Sequence, residues 1–586
     1  MARNAALLIY FLVYFLVDPT LAYPRFIREE ANDDIDTVVV TTAYGAVKGI
    51  NYNISETVDL NIFLGVPYAQ PPVGDLRLAR PQHVQAWSPS ILDATRHGPK
   101  CVQRIIREDP VLEGVPFSED CLFLDIYATR LRTAPENSLQ PVMVYIHPGG
   151  FYGGSGAKYN FTNLALKGVV VVCVSYRLDV FGFLSTQDDV IPGNFGLLDA
   201  ALALEFVKEI ISDFGGDAGA ITLFGASSGA AMVSIFTLSP LTRGKFQQGI
   251  MMSGEALCPW AVFTPGRTVN VPADLAMEFG RRLNCSLSQT GSGKNVSRDL
   301  LACLRGIPVD TLVRESVTMQ EQVYGGDQIF IPVSGDSFGV LPETPEKLLA
   351  KTSDLVAIPT ITGYTTDDGS WLVPDLDDDG VTYPEFQYIL NAYITQYFPP
   401  SERNETYTRV VKAYLPDDPA SLTPLQLRGI LVRLATDAFI VTHVIKQARL
   451  FSQAEDGNHR RNGSRPGTFV YQFNYRPSYS PAPVWQGVRH ADEKGFVLGL
   501  PPGPNPFNYP NTTAEDEQVA DLVTTMWSNF AKFGHPTPQP FNWSKHATLQ
   551  WPAFGNSADN QELLQIDLDA KKRAFDRNQY VAAWTG

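Results

Sequence analysis

The sequence has no internal repeat, no long Ser/Gly- or Pro-rich linker, and no charge block beyond the short acidic "DLDDDG" at Asp375 to Gly380. Repeat arrays and strings of tethered modules are therefore excluded. Length alone would allow three or four domains. One large domain with long insertions is the better expectation for residues 23–586. Basic residues are also in deficit: 46 Lys and Arg stand against 62 Asp and Glu, a net charge of −16, and "HRRNGSR" near His459 is the one basic run. A surface of that sign repels a phosphate backbone, so nucleic acid is excluded as an expected partner. Beyond the N-terminus no uninterrupted apolar run reaches the roughly twenty residues that a bilayer requires. "RNQYVAAWTG" at the other end lacks the hydrophobic tail of a lipid anchor, so no membrane anchor is expected.

Apolar residues do run together at the start, "MARNAALLIYFLVYFLVDPTLAYPRF", with Arg3 first, an apolar stretch from Ala5 to Val17, and small residues at Thr20 and Ala22. That is the pattern of a secretory signal peptide, residues 1–22, cut after Ala22 to leave a soluble, secreted protein. The N-x-S/T triplets agree: Asn53, Asn160, Asn284, Asn295, Asn404, Asn462, Asn511 and Asn542 each begin one with no proline between, as a glycoprotein would. Six cysteines in an oxidising compartment allow fifteen pairings if all pair. Cys101 and Cys121 bracket one polar loop and Cys285 and Cys303 another, and these local closures are the expected bridges, each worth about 3 kcal/mol through loop entropy. Cys173, within "GVVVVCVSY", reads as a buried thiol on a central strand.

Several β-branched runs are continuous rather than alternating: "PVMVYIH" from Pro141, "VVVVCVSY" from Val169, "AITLFG" from Ala220, "FQQGIMMSG" from Phe246, "AIPTITGY" from Ala357 and "TFVYQFNY" from Thr468. Strands covered on both faces look like this. Helical spacing lies between them, as in "LLDAALALEFVKEII" from Leu197. The alternation predicts an α/β fold with an open, mostly parallel sheet, whose ligands bind at the carboxyl ends of the strands.

The short pattern G-x-S-x-G occurs twice, at Gly225 to Gly229 and at Gly335 to Gly339. Around Ser227 it sits between a strand and a helical segment, "GAAMVSIFTL", the context that thrusts a nucleophilic serine out at the top of a sheet. Around Ser337 the following Pro342 and Pro345 come too soon for a helix. A nucleophilic serine needs an acid and a base later in the chain. Asp367 and Asp368 follow the strand "AIPTITGY", and His490 lies in the loop after "TFVYQFNY". His443 in a helical pattern, His459 beside two arginines, His535 in a "GHP" turn and His546 near a sequon are less well placed. Gly149 and Gly150 in "YIHPGGFYGG" can aim backbone N–H groups at an oxyanion; Pro148 has none to offer.

These residues together resemble the type-B carboxylesterases and cholinesterases of the α/β-hydrolase fold. The likeness runs from "FLGVPYAQPPVGDLRL" at Phe63 to "MWSNFAKFGHPTP" at Met526. "FGGDAGAITLFGASSG" fits the family's serine active-site pattern throughout, and "EDCLFLDIY" resembles its second pattern, departing at Thr129. The resemblance implies a large, mostly parallel sheet covered by helices and a carboxylic ester hydrolase working on small-molecule esters. Its nucleophile would be Ser227, its acid Asp368 and its base His490, with an oxyanion hole from Gly149, Gly150 and the N–H of Ser228. It also implies bridges Cys101–Cys121 and Cys285–Cys303, a free Cys258, structural ion pairs Arg77–Glu119 and Arg177–Asp199, and neither metal nor organic cofactor.

Three positions depart from the family. Ala226 stands where Glu often precedes the nucleophile, which removes a buried negative charge near the base. Asp368 is one methylene shorter than the usual Glu, and either carboxylate can hold an imidazole tautomer. The loop between Cys101 and Cys121 has no tryptophan for choline's cationic head, so a choline ester is a poor expected substrate. The alternative reading is a cholinesterase-like adhesion or signalling protein of neuroligin type, whose look "HADEKGFVLG" and "LCPWAV" share. The intact Ser, Asp and His and the absence of a later membrane-spanning run favour the esterase.

Overall fold

Each continuous apolar run forms a strand in the computed structural model. The structure describes residues 36–104, 114–132, 135, 138–265, 271–287, 293–323, 329–351, 358–375, 378–462, 467–500, 512–544, 547–555, 557 and 560–585. Among them thirteen strands make one sheet. In chain order these are β1 (Thr37–Thr42), β2 (Gly45–Ser55), β3 (Val58–Pro67), β4 (Ile91–Asp93), β5 (Phe123–Leu131), β6 (Gln140–Ile146), β7 (Val170–Val174), β8 (Gly216–Ala226), β9 (Gln248–Met252), β10 (Thr360–Thr365), β11 (Thr468–Phe473), β12 (Glu562–Ile566) and β13 (Lys571–Ala574). Across the sheet the order is β1-β2-β3-β5-β7-β6-β8-β9-β10-β11-β12-β13, with β4 beside β2. From β7 to β12 every neighbouring pair is parallel. The flanking pairs β1–β2, β2–β3, β3–β5, β5–β7 and β12–β13 are antiparallel.

The apolar runs are continuous because both faces of the parallel strands are covered. Val142, Val144, Ile146, Ile221 and Leu223 share one core with α1 (Phe195–Ile210) and α2 (Ser228–Leu238). The alternate residues Met143, Tyr145, Phe224, Ala226, Ile250 and Met252 share another with Met526, Trp527 and Phe530 of α4 (Ala514–Phe533). A strand turns successive side chains to opposite faces, so two cores demand apolar residues at every position. α3 (Thr442–Asn462) lies between β10 and α4 in the chain.

α4 begins at a capping box in which Thr513 Oγ1 accepts from Asp516 N at 3.2 Å and Asp516 Oδ2 accepts from Thr513 N at 2.8 Å. Asp516 Oδ1 also accepts from Ser478 N and Tyr475 Oη, both at 3.1 Å, which ties down the loop running from β11 to His490. Two buried ion pairs brace the other side. Arg177 donates Nε and Nη2 to Asp199, each at 2.7 Å, and Arg77 donates the same pair to Glu119 at 2.7 and 2.6 Å. Cys101–Cys121 and Cys285–Cys303 are disulfides, while Cys173 and Cys258 are buried free thiols.

Among the sequons Asn53, Asn284, Asn295 and Asn404 are exposed and Asn160 is half-buried. The side chains of Asn462 and Asn542, all of Asn511, and the N-terminal segment 1–22 lie outside the described residues. No helix among the described residues is long and apolar enough to cross a membrane.

Candidate active site

The chain's course across the sheet reverses at β6, which has β7 on one side and β8 on the other. A crevice opens at the carboxyl ends of strands at such a point. Gly149 and Gly150 follow β6, and Ser227 follows β8.

Ser227 takes φ 55° and ψ −125°, a strained backbone that its neighbours impose. Its N–H donates to Met252 O at 2.8 Å, and its carbonyl accepts from Ala231 N at 2.9 Å as the first bond of α2. The flanking glycines are there for want of room. A Cβ on Gly225 would lie 2.6 Å from the Gly229 backbone, and one on Gly229 would lie 2.1 Å from Ile146 O. Ser227 Oγ is buried and makes no hydrogen bond among the described residues, so no Ser227–His490 hydrogen bond is closed in this structure.

Ser228 opens α2, where the N–H groups have no intrahelical partner and the helix dipole is positive. Gly149, at φ 129°, accepts through its carbonyl from Gly153 N at 2.9 Å, which folds the glycine loop back on itself. Among the described residues no backbone carbonyl accepts from the N–H of Gly149 or Gly150. His147, just before this loop, stacks on Tyr176 at 4.2 Å, and Tyr176 Oη donates to His147 O at 2.8 Å. Burial pushes His147 down to about 4, so at neutral pH it is an uncharged brace.

The two aspartates after β10 divide the work. Asp368, fully buried, meets His490 Nδ1 with Oδ1 at 2.5 Å. Its Oδ2 accepts from Ser253 Oγ at 2.7 Å and from Thr365 N at 2.9 Å. Asp367 faces the other way: its Oδ2 accepts from Val488 N at 3.0 Å, holding the loop that carries His490. Burial raises Asp367 above the usual carboxylate range. The Trp371 ring lies 6.2 Å from that of His490.

Two groups in this cluster go beyond the sequence expectations. Glu493, buried three residues past His490, accepts from Tyr471 Oη at 3.0 Å and lies 3.2 Å from Ser253 Oγ. Burial first, then the charge of Asp368, pushes it up to about 7. Ser253 has one hydroxyl proton, which goes to the nearer Asp368, so its oxygen accepts from Glu493 when that acid is protonated. The spacing H-x-x-E in "HADE" was the available signal for Glu493; Ser253 had only its place at a strand end.

The remaining candidates fall elsewhere. Ser337 is exposed in a turn that no helix follows directly; a helix does start nearby, Pro345–Ala350, with Pro345 in its first turn, where the missing N–H costs nothing. Its neighbour Asp336 accepts from Leu341 N at 2.6 Å. On α3, His443 Nε2 lies 3.0 Å from Ala438 O, just ahead of that helix, and His535 Nδ1 accepts from Thr537 N at 3.0 Å. The His459 side chain and His546 are outside the described residues.

Comparison with known proteins adds a second line. Residues 36–584 match the model of the carboxylesterase family. The chain is 30% identical over 560 residues to a medium-chain fatty acyl-CoA hydrolase precursor of Anas platyrhynchos, covering 93% of this chain and 91% of that protein. It is 31% identical over 578 residues to a cholinesterase of Mus musculus, covering 95% and 87%. The mostly parallel sheet covered by helices is the α/β-hydrolase fold expected for such relatives.

Proposed function

The chain belongs to the carboxylesterase family, and we propose from that premise that it is a secreted serine esterase cleaving carboxylic esters through an acyl-enzyme. One observation carries the reading. Asp368 holds His490 Nδ1 with one carboxylate oxygen, has the other fixed by Ser253 and Thr365, and does so at the sheet edge where a glycine-walled turn presents Ser227.

In this reading Asp368 keeps the proton of His490 on Nδ1 and makes Nε2 the basic nitrogen. His490 takes the Ser227 hydroxyl proton as Oγ attacks the ester carbonyl, and Asp368 stabilises the imidazolium. The hydrogen bond between the two side chains forms when substrate is bound, as such contacts commonly do. The N–H groups of Gly149, Gly150 and Ser228 take up the oxyanion, each worth about 3 kcal/mol in the transition state. The imidazolium gives its proton to the leaving alcohol. Water then enters, loses a proton to His490 and releases the carboxylic acid, restoring Ser227.

The two relatives are named for an acyl thioester and for choline esters, and acyl transfer to water is common to both names. With no tryptophan between Cys101 and Cys121 to meet a quaternary ammonium, uncharged acyl esters are the favoured class. The test is turnover of p-nitrophenyl esters of rising acyl length by the protein and by Ser227→Ala, with organophosphate labelling read by mass spectrometry. The expected result is label on Ser227 and a loss of about 10⁴-fold or more in the variant. Equal turnover with Ser227 unlabelled sinks the assignment, and label on Ser337 would identify the other turn. Secretion is tested in the same preparation by an N-terminus at Tyr23 and a mass that falls on enzymatic removal of N-glycans.

A further inference from the structure

Glu255, on the turn after β9, is fully buried, and no step of the proposed reaction uses it. One of its carboxylate oxygens accepts from Thr362 Oγ1 on β10, and the other accepts from Gln447 Nε2 on α3 at 2.5 Å. Gln447 Nε2 also reaches Ser234 Oγ on α2 at 2.7 Å, and that hydroxyl accepts from Ala256 N at 2.9 Å. Glu255 thus joins the helix of Ser227, the strand leading to Asp368, and its own turn.

That turn touches both Ser227 and Asp368. Met252 O accepts from Ser227 N at 2.8 Å, and Ser253 Oγ donates to Asp368 at 2.7 Å. Gly254 is pressed so closely to the nucleophile that a Cβ there would stand 2.3 Å from Ser227 O.

Among the described residues, the groups facing Glu255 offer it no countercharge. α2 presents Ser234, α3 presents Gln447 and β10 presents Thr362, all neutral donors. Its own turn adds the Cys258 thiol, whose Sγ accepts from Glu255 N at 3.3 Å. β11 adds Tyr471, which the charges of Glu493, Asp368 and Glu255 all push up, after burial. Burial outweighs the three donors and lifts Glu255 to about 8, so the acid is mainly neutral at pH 7.

We propose that Glu255, as a neutral acid, is a positioning residue for Ser227 and Asp368, and that its deprotonation loosens the Gly254 turn and turns the esterase down. The proposal rests on the esterase reading above. Ionised, Glu255 would be a third carboxylate in a layer that already holds Asp368 and Glu493. An unpaired buried charge costs far more than its hydrogen bonds return. Moving the turn toward water relieves that cost, and takes with it the Met252 carbonyl that holds the Ser227 N–H and the Ser253 bond to Asp368.

The experiment measures kcat and KM for p-nitrophenyl acetate from pH 6 to 10 in the wild type, Glu255→Gln and Glu255→Ala. The wild type should lose about tenfold or more in kcat between pH 7 and 9.5, with KM little changed. Glu255→Gln, neutral at every pH, should keep kcat at pH 7 within about threefold and lose most of the alkaline limb. Glu255→Ala should be slower throughout. Superimposable limbs in the wild type and Glu255→Gln overturn the proposal.

A second measurement needs no catalysis. The folded state holds a Glu255 proton that the unfolded chain has shed, so stability falls as pH rises from the ordinary carboxylate range to about 8. The melting temperature of the wild type should therefore drop relative to Glu255→Gln over that window and level off above it. Parallel curves overturn the proposal. Diverging curves without ester turnover in any variant support the titration and sink the esterase reading instead.

Discussion

Replacing Ser253 with alanine removes a single buried oxygen and tests whether the Asp368–His490 pair depends on support from behind. Ser253 Oγ donates to Asp368 Oδ2 at 2.7 Å and lies 3.2 Å from Glu493. Without it Asp368 Oδ2 keeps, among the described residues, only Thr365 N, and Glu493 keeps the Tyr471 hydroxyl. A hydrogen bond to a charged group is worth about 1.5–3 kcal/mol. Each 1.4 kcal/mol is about tenfold in rate, so kcat/KM should fall by roughly 10- to 150-fold if the bond serves to orient the acid. The loss should lie in kcat, because Ser253 sits behind Asp368 rather than against substrate. The assay is a pH profile of kcat and KM on p-nitrophenyl acetate, with the melting temperature of each variant measured alongside. A variant within about threefold of wild type at every pH would refute the reasoning. So would a loss of rate that tracks only a lowered melting temperature.

Four further outcomes are expected. Half-buried His97 holds Asp125 Oδ2 through Nδ1 at 2.9 Å. Burial lowers the imidazole, but the charge and hydrogen bond of Asp125 outweigh it and leave it above its ordinary value. That stabilisation is present in full below about pH 6.5 and lost as pH rises through the folded value, so His97→Gln should flatten the fall in melting temperature between pH 6 and 8. Gly229→Ala sets a Cβ 2.1 Å from Ile146 O and should cost about 3 kcal/mol or more in urea unfolding. Gly429→Ala, exposed on the helix Pro424–Thr436 with nothing within 4 Å, should instead gain up to about 1 kcal/mol. Acetylthiocholine should be turned over at least about tenfold less efficiently than p-nitrophenyl acetate, given a missing cation–π contact worth roughly 2 kcal/mol. Efficient, saturable turnover of it would show that another aromatic serves.

Much of the architecture was legible because its causes are local. A parallel strand covered on both faces has to be apolar at consecutive positions, so β6 to β11 could be read one at a time. The turn at Ser227 needs glycine on both sides because Gly225 and Gly229 touch backbone, and that constraint is written within five residues. The cysteine pairs close short loops and were legible from spacing. Asp367 and Asp368 were not separable from local sequence. They are adjacent on the same loop, and what distinguishes them is that one meets His490 and the other Val488, over a hundred residues away.

The sequence by itself determined the alternation of strands and helices, the order in which serine, aspartate and histidine are met, and the likeness to a family of esterases. Each rests on residue type within a short window. The tertiary structure decided which buried acids keep company with them. Glu493 and Glu255 gain their raised affinity for protons from being packed away from water beside other carboxylates or neutral donors, which no local pattern records. Burial and charge act through space. The residues that apply them to Ser227 and His490 come from segments far apart in the chain.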